Sequence, residues 1–293
     1  MKKFFLLGFI TSTLFIVIFI VAYSLQLGQN GQKSEVPLHY SVYSQKDFFD
    51  QAFDFAPSST SQAGQGIKGL LFNHHLLAPH FIAQAFLAAQ NQKPQTLVIL
   101  APNHFMTGIG PILTSRYAWQ TPYGQLQPDL EIIGALIESG LVKVDEQPFE
   151  NELGIKNVVA FAKRVFPDAR VVPLIVKDNT PDSLADSLAQ ALQRVLPQNG
   201  LVVGSFDFSH YHTLDTANQH DEKSLSAVRS LDFKGTKDLD VDSRPGLRIL
   251  LEFLSLAKAD SFTLLQHSNS ALVAKNLTTT STTSYITGYF SSE

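Results

Sequence analysis

The sequence predicts an α/β fold, a three-layer sandwich around a mostly parallel central sheet, preceded by an N-terminal transmembrane helix. Three observations predict it. Short apolar runs rich in leucine and β-branched residues alternate with longer amphipathic segments, as strands feeding crossover helices do. Those runs lack an inside–outside alternation, which is expected of strands covered on both faces. The first 25 residues hold an uncharged, mostly apolar stretch behind two lysines.

The chain begins "MKKFFLLGFITSTLFIVIFIVAYSLQ", in which Lys2 and Lys3 precede an apolar run from Phe4 to about Leu25. A helix needs ~20 such residues to cross a bilayer, whereas the core of a cleaved signal has ~7–15. No small-x-small cleavage site follows. Residues 1–25 are therefore expected to be an uncleaved signal-anchor. The lysines would hold the N-terminus in the cytoplasm, giving a single-pass membrane-anchored protein whose main domain is extracytoplasmic. Residues 26–37 read as a polar, glycine-containing linker, and 38–293 as one α/β domain. Phe55 to Gly66 ("FAPSSTSQAGQG") is a second flexible-looking stretch.

Within the domain, "GLLFNH" (69–74), "TLVILAP" (96–102), "ARVVPLIV" (169–176) and "GLVVGSF" (200–206) read as buried central strands. The helical candidates lie between and after them. "APHFIAQAFLAAQ" (78–90) opens on a proline, and "DLEIIGALIESG" (129–140) ends at a glycine cap. "TPDSLADSLAQALQRVL" (180–196) repeats leucine at i, i+4, and "SRPGLRILLEFLSLA" (243–257) follows the same helical pattern. "SFTLLQHS" (261–268) and "SYITGYF" (284–290) read as late strands of antiparallel character. Trp119 in "WQTPYG" is expected to pack under a hairpin, with Tyr123 and Gly124 structural.

Composition narrows the chemistry. The chain has 293 residues, a formal charge of −4 and no cysteine. The charge gives no electrostatic case for nucleic acid, and a chain without cysteine has no thiolate site or disulfide framework. Any metal must be held by nitrogen and oxygen. In an α/β sheet the strand C-termini are where a site forms. The first strand ends in His74 and His75, the second runs into His104, and the fourth runs into Asp207 and His210. These should meet on one rim if the strands are neighbours. His80, behind Pro79 in the first turn of a helix, reads as helix surface. His212 and His220 read as surface histidines, with His212 near enough to support a ligand. His39 and His267 have no motif around them. Ser205 and Ser209 lack a nucleophile-elbow pattern.

The succession of a strand ending in histidine, "ILAPNH", "WQTPYGQL", "SFDFSH" and a late "SYITG" resembles the Memo-like family over roughly residues 66–290. That family includes the B component of the AmmeMemoRadiSam system and is related to the class III extradiol ring-cleaving dioxygenases. The resemblance implies a metal held by His74 and His104, with Asp207 and His210 lining the same pocket in catalytic roles. Ala78-Pro79-His80 repeats the letters around the family's first ligand but falls inside the following helix. Alignment on the strand end instead selects His74, leaving His75 as a supporting donor.

The family's third ligand is a cysteine or carboxylate, and here the pattern departs. "DVDSRPG" puts Val241 at that position, with Asp242 one residue away. Asp242 is read either as the third ligand or as a helix N-cap. A histidine pair that the family often carries is absent from "ELGIKNVVAF" (152–161). Two histidines and a carboxylate suit Fe(II), with Zn or Cu as alternatives. The function implied is that of a membrane-anchored, Memo-like, dioxygenase-like redox enzyme acting on an unknown small molecule. A metal-dependent hydrolase and a non-catalytic metal- or ligand-binding protein are the alternatives.

Overall fold

Residues 37–57 and 66–292 are described by the computed structural model. The expected anchor, most of the linker and residues 58–65 lie outside the described residues. In chain order the strands are β1 (Leu38–Tyr40), β2 (Ile67–Phe72), β3 (Thr96–Pro102), β4 (Ile112–Thr114), β5 (Ala118–Thr121) and β6 (Gly124–Leu126). They continue as β7 (Lys143–Val144), β8 (Arg170–Val176), β9 (Leu201–Ser205), β10 (Phe208–His212), β11 (Ser261–Asn269) and β12 (Thr282–Ser291). The helices are α1 (Lys46–Asp54), α2 (Pro79–Ala88), α3 (Leu130–Glu138), α4 (Leu153–Lys156) and α5 (Val159–Val165). After them come α6 (Asp182–Val195), α7 (Leu214–Arg229), α8 (Arg244–Leu256) and α9 (Ser270–Val273).

The large sheet runs β10-β12-β2-β9-β3-β8-β4-β7, with β11 also paired to β12. Its centre is parallel, through β2–β9, β9–β3 and β3–β8. Its flanks are not. β12 is antiparallel to β2, β10 and β11, and β4 is antiparallel to β8. The sheet is thus mixed, where the sequence predicted a mostly parallel one. The reason lies in what the connections carry: parallel strands are usually joined by a crossover helix that packs across the sheet. The segment between β11 and β12 carries only the one-turn α9, and the chain folds back on itself. A separate small sheet joins β1, β5 and β6, and buries Trp119 beneath the hairpin as expected.

Side chains alternate across the central strands and feed two cores. Leu71, Val98, Leu100, Val172 and Leu174 face one core with Ile133, Leu188, Leu192 and Leu250 of α3, α6 and α8. Leu70, Phe72, Leu97, Ile99 and Val171 face the other with Phe49, Ile82, Phe86 and Phe161 of α1, α2 and α5. Each buried leucine or phenylalanine contributes about 1.5–3 kcal/mol relative to exposure. Helices on both faces also leave the strand ends as the open edge of the sheet.

The expected membrane placement does not stand. Among the described residues, no helix is long and apolar enough to cross a membrane. The longest of them, α7, has 16 residues and a sequence rich in charged and polar side chains. The anchor was read from residues 1–25 alone, and these lie outside the described residues.

Candidate metal centre

β9 lies between β2 and β3, so the residues that follow these three strands share one edge. His74 leaves β2, His104 leaves β3 and Asp207 leaves β9. Two connections hold them in place. The His74 N–H donates to Asp207 Oδ1 at 3.1 Å, and Asn157 Nδ2 donates to the His74 carbonyl at 2.9 Å.

Each histidine is oriented by a bond at Nδ1. His74 Nδ1 donates to the Ser205 carbonyl at 3.2 Å, an oxygen that can only accept. Its Nε2 lone pair therefore points inward, 3.4 Å from Asp242 Oδ2 and 3.5 Å from Asp207 Oδ2. His104 Nδ1 meets Glu152 Oε1 at 2.7 Å, while Glu152 Oε2 accepts the His104 backbone N–H at 3.0 Å. This leaves His104 Nε2 facing Asp242 Oδ2 at 3.8 Å. The two rings stand perpendicular, with centroids 5.1 Å apart.

Asp242 completes the group. It does not cap α8: Ser243 does, accepting the Gly246 N–H at 3.2 Å. The cap reading of Asp242 therefore falls to its neighbour. Asp242 Oδ2 accepts the Asp207 N–H at 3.0 Å, and the Asp242 N–H donates to the Asp207 carbonyl at 3.1 Å. Its Oδ1 is buried without a hydrogen-bond partner among the described residues. One donor atom from each of His74, His104 and Asp242 lies within 4.8 Å of the others. Asp207, His210 and Asp242 make a second such group, sharing Asp242.

The electrostatics follow from burial. It lowers the His74 pKa despite the opposing charge of Asp207. Burial also opposes the His104 imidazolium, but the hydrogen bond and charge of Glu152 outweigh it and raise that pKa. The Asp242 carboxyl is held well above the usual aspartate range, first by burial and then by Asp207. Burial lowers His210 as well, keeping it neutral. Two close carboxylates, two inward nitrogen lone pairs and one orphaned carboxylate oxygen form a donor set that a divalent cation would satisfy.

His210 is presented by an irregular strand. Ser209 and Tyr211, on either side, have φ of 41° and 60°. β10 also slips register against β12, with residues 208 and 212 facing 284 and 282. Such strain is tolerated where surrounding structure over-determines it, and it concentrates at functional sites. A cavity of about 280 Å³ is lined by His74, His104 and Asp207 of the group, with His75, Phe105, Leu153 and Asn157 on its other walls.

The remaining histidines fall elsewhere. His75 Nδ1 meets the Tyr285 hydroxyl at 2.6 Å, at the cavity wall and outside the donor group. His80 lies half-buried in the first turn of α2, against Phe81. His212 pairs with Asp240 at 2.8 Å rather than with the centre. His39 is bonded to Ser115 and Glu146, and His267 to the buried Asp221. Sequence reasoning missed Glu152, whose side chain grips both the backbone and the ring of His104. Its one local signal is "NELG", a cap before a glycine, and Glu152 Oε1 does accept the Gly154 N–H at 2.9 Å. Gly154 itself is needed there, because a Cβ would sit 2.7 Å from that of Ala101 in β3.

Comparison with known proteins bears on the whole domain. The sequence model described as Memo-like protein matches residues 45–289. A MEMO1 family protein of Saccharolobus solfataricus is 28% identical over 157 residues, 51% of this chain and 55% of that protein. One from Saccharolobus islandicus (strain M.14.25 / Kamchatka #1) is 31% identical over 151 residues, 49% of this chain and 52% of its own. The chain spans about half the length of the curated relatives it matches. An uncharacterized protein of Escherichia coli K12 overlays on 75% of this chain and 99% of its own with a TM-score of 0.47 at 12% identity, too slight a likeness to argue from. The family match covers most of the described domain and the strand ends that bear His74, His104 and Asp207: the chain belongs to the Memo-like family.

Proposed function

We propose that His74, His104 and Asp242 hold a divalent cation and that the protein acts as a dioxygenase-like oxidoreductase on a small molecule. The observation that carries this reading is the buried Asp242 carboxylate, whose Oδ2 faces the Nε2 atoms of His74 and His104 while its Oδ1 has no hydrogen-bond partner among the described residues. Left without a cation, that arrangement is costly, because a buried unpaired carboxylate is driven to protonate. Two histidines and one carboxylate favour Fe(II), and the same donors accept Zn or Cu. A bound ion would supply Lewis acidity and open coordination positions for substrate.

The protein's own groups account for the rest of the chemistry. His210, kept neutral by burial, serves as the base that takes a proton from a substrate hydroxyl at its free ring nitrogen. Asp207 holds the rim together through its bonds to His74 and Asp242, and its charge favours the imidazolium that forms on His210. Phe105 and Leu153 offer apolar walls to the flat body of an aromatic substrate, and Asn157 fixes the floor through the His74 carbonyl.

Elemental analysis of the purified chain beside His74→Ala and His104→Ala tests the reading. The wild type is expected to carry an equivalent of metal that both variants lose. Unchanged metal content in both would overturn it. Oxygen uptake with catechols then tests the redox assignment, and hydrolysis of an ester substrate without oxygen uptake would replace it with a metal-dependent hydrolase.

A further inference from the structure

We propose a second divalent-cation site, built by His212, His220 and Asp240, whose bound ion takes an oxyanion held by Lys223 and Lys237. It shares no ligand with the centre described above and does not depend on that centre's function.

The three ligands come from three elements: the end of β10, the second turn of α7 and the stretch before α8. They nonetheless converge on one point. Asp240 Oδ2 lies 2.8 Å from His212 Nε2 and 3.0 Å from His220 Nδ1. The rings are 4.7 Å apart and inclined at 79°, so both nitrogens address the same oxygen without stacking. Around a tetrahedral ion with bonds near 2.0–2.1 Å, neighbouring ligand atoms lie about 3.3 Å apart. Opening the present contacts by a few tenths of an ångström therefore admits an ion in place of the two shared protons. All three side chains are about one-third exposed, so an ion can reach them from solvent.

The surroundings define what the loaded site prefers. The three ligands line a cavity of about 350 Å³ that also carries Lys223, Lys237, Arg244 and the carboxylate of Asp238. Arg244 is engaged by Asp178, with Nε donating to Oδ1 at 3.1 Å. Among the described residues, neither lysine has a carboxylate partner. Asp240 and Asp238 together cannot neutralise a divalent ion and two ammonium groups. The loaded cavity therefore keeps excess positive charge, and an oxyanion on the ion's open positions removes it.

The two metal centres are also linked by backbone. Val241 bridges Phe208 in antiparallel fashion, Ser209 N–H donates to the Asp240 carbonyl at 2.9 Å, and Asp242 N–H donates to the Asp207 carbonyl. The same two segments thus present His210 with Asp242 at one point and His212 with Asp240 at the next.

Calorimetric titration of the full chain with Zn²⁺ in chloride, and again with added sulfate, tests the proposal. The wild type is expected to show two binding events, of which the second survives His74→Ala and disappears in the double variant His212→Ala, His220→Ala. Both histidines are part-exposed, and circular dichroism checks that the double variant stays folded. An unchanged titration in that variant, or the absence of any event in His74→Ala, would overturn the site. Sulfate is expected to tighten the second event by about tenfold. The same tightening in Lys223→Ala, Lys237→Ala would overturn the oxyanion assignment.

Discussion

Burial and the neighbouring Asp207 hold the Asp242 carboxyl well above its ordinary range, which sets a sign for stability. In the unfolded chain Asp242 ionises first, so folding stability falls as pH rises from the ordinary aspartate value through the raised one. Asn at this position keeps an acceptor for the Asp207 N–H but carries no charge. Asp242→Asn is therefore expected to stabilise the metal-free protein at pH 8 by about 1 kcal/mol, or ~2–4 °C in Tm. Melts in chelator at pH 4 and pH 8 check this, and the gain should shrink at the acidic end. The same variant should fail to retain metal. Glu152→Gln acts on the opposite residue: the His104 pKa should fall, visible by NMR titration, and metal affinity should drop ~10–100-fold. The proximity of His74 and His104 was legible because both follow buried apolar runs whose ends had to share an edge. Glu152 was not, since its role depends on a contact across 48 residues that no local pattern announces.

At the scale of elements, α8 is a case where sequence and structure agree on the helix and differ on its cap. Ser243 rather than Asp242 closes its first turn, and Ser243→Ala should cost about 1 kcal/mol in denaturant unfolding. Further along the helix, Glu252 is buried against α6, with Gln190 donating to Oε1 at 3.4 Å. Burial, and then the hydrogen bond and charge of Asp186, raise its pKa to about 7. The proton is held in the folded state, so its contribution is lost as pH rises from 4.5 toward 7. Glu252→Gln should flatten the stability profile across that window and melt higher than the wild type above it. β3 was legible residue for residue, because "TLVILAP" is apolar after its first residue and buried throughout. β10 was not: "FSHYH" has a polar face and two left-handed residues, and only its pairing with β12 makes it a strand.

Across the whole domain, the parallel centre could be read from strands alternating with helices, but the mixed flanks could not. β12 joins β2, β10 and β11, and the partners of a late strand are set by long-range pairing rather than by its own residues. A bound ion adds stability only in the folded state, about 2.7 kcal/mol at a hundredfold excess over Kd. The scattered origin of the first centre decides where on the folding path that increment acts. Its donors at 74, 104 and 242 meet only after β2, β9 and β3 have docked and the α8 entrance has tied to the end of β9. No early, loosely ordered state can assemble them. The ion should therefore leave the refolding rate unchanged and slow unfolding by the full increment, so that stopped-flow chevrons with and without metal differ in one limb alone.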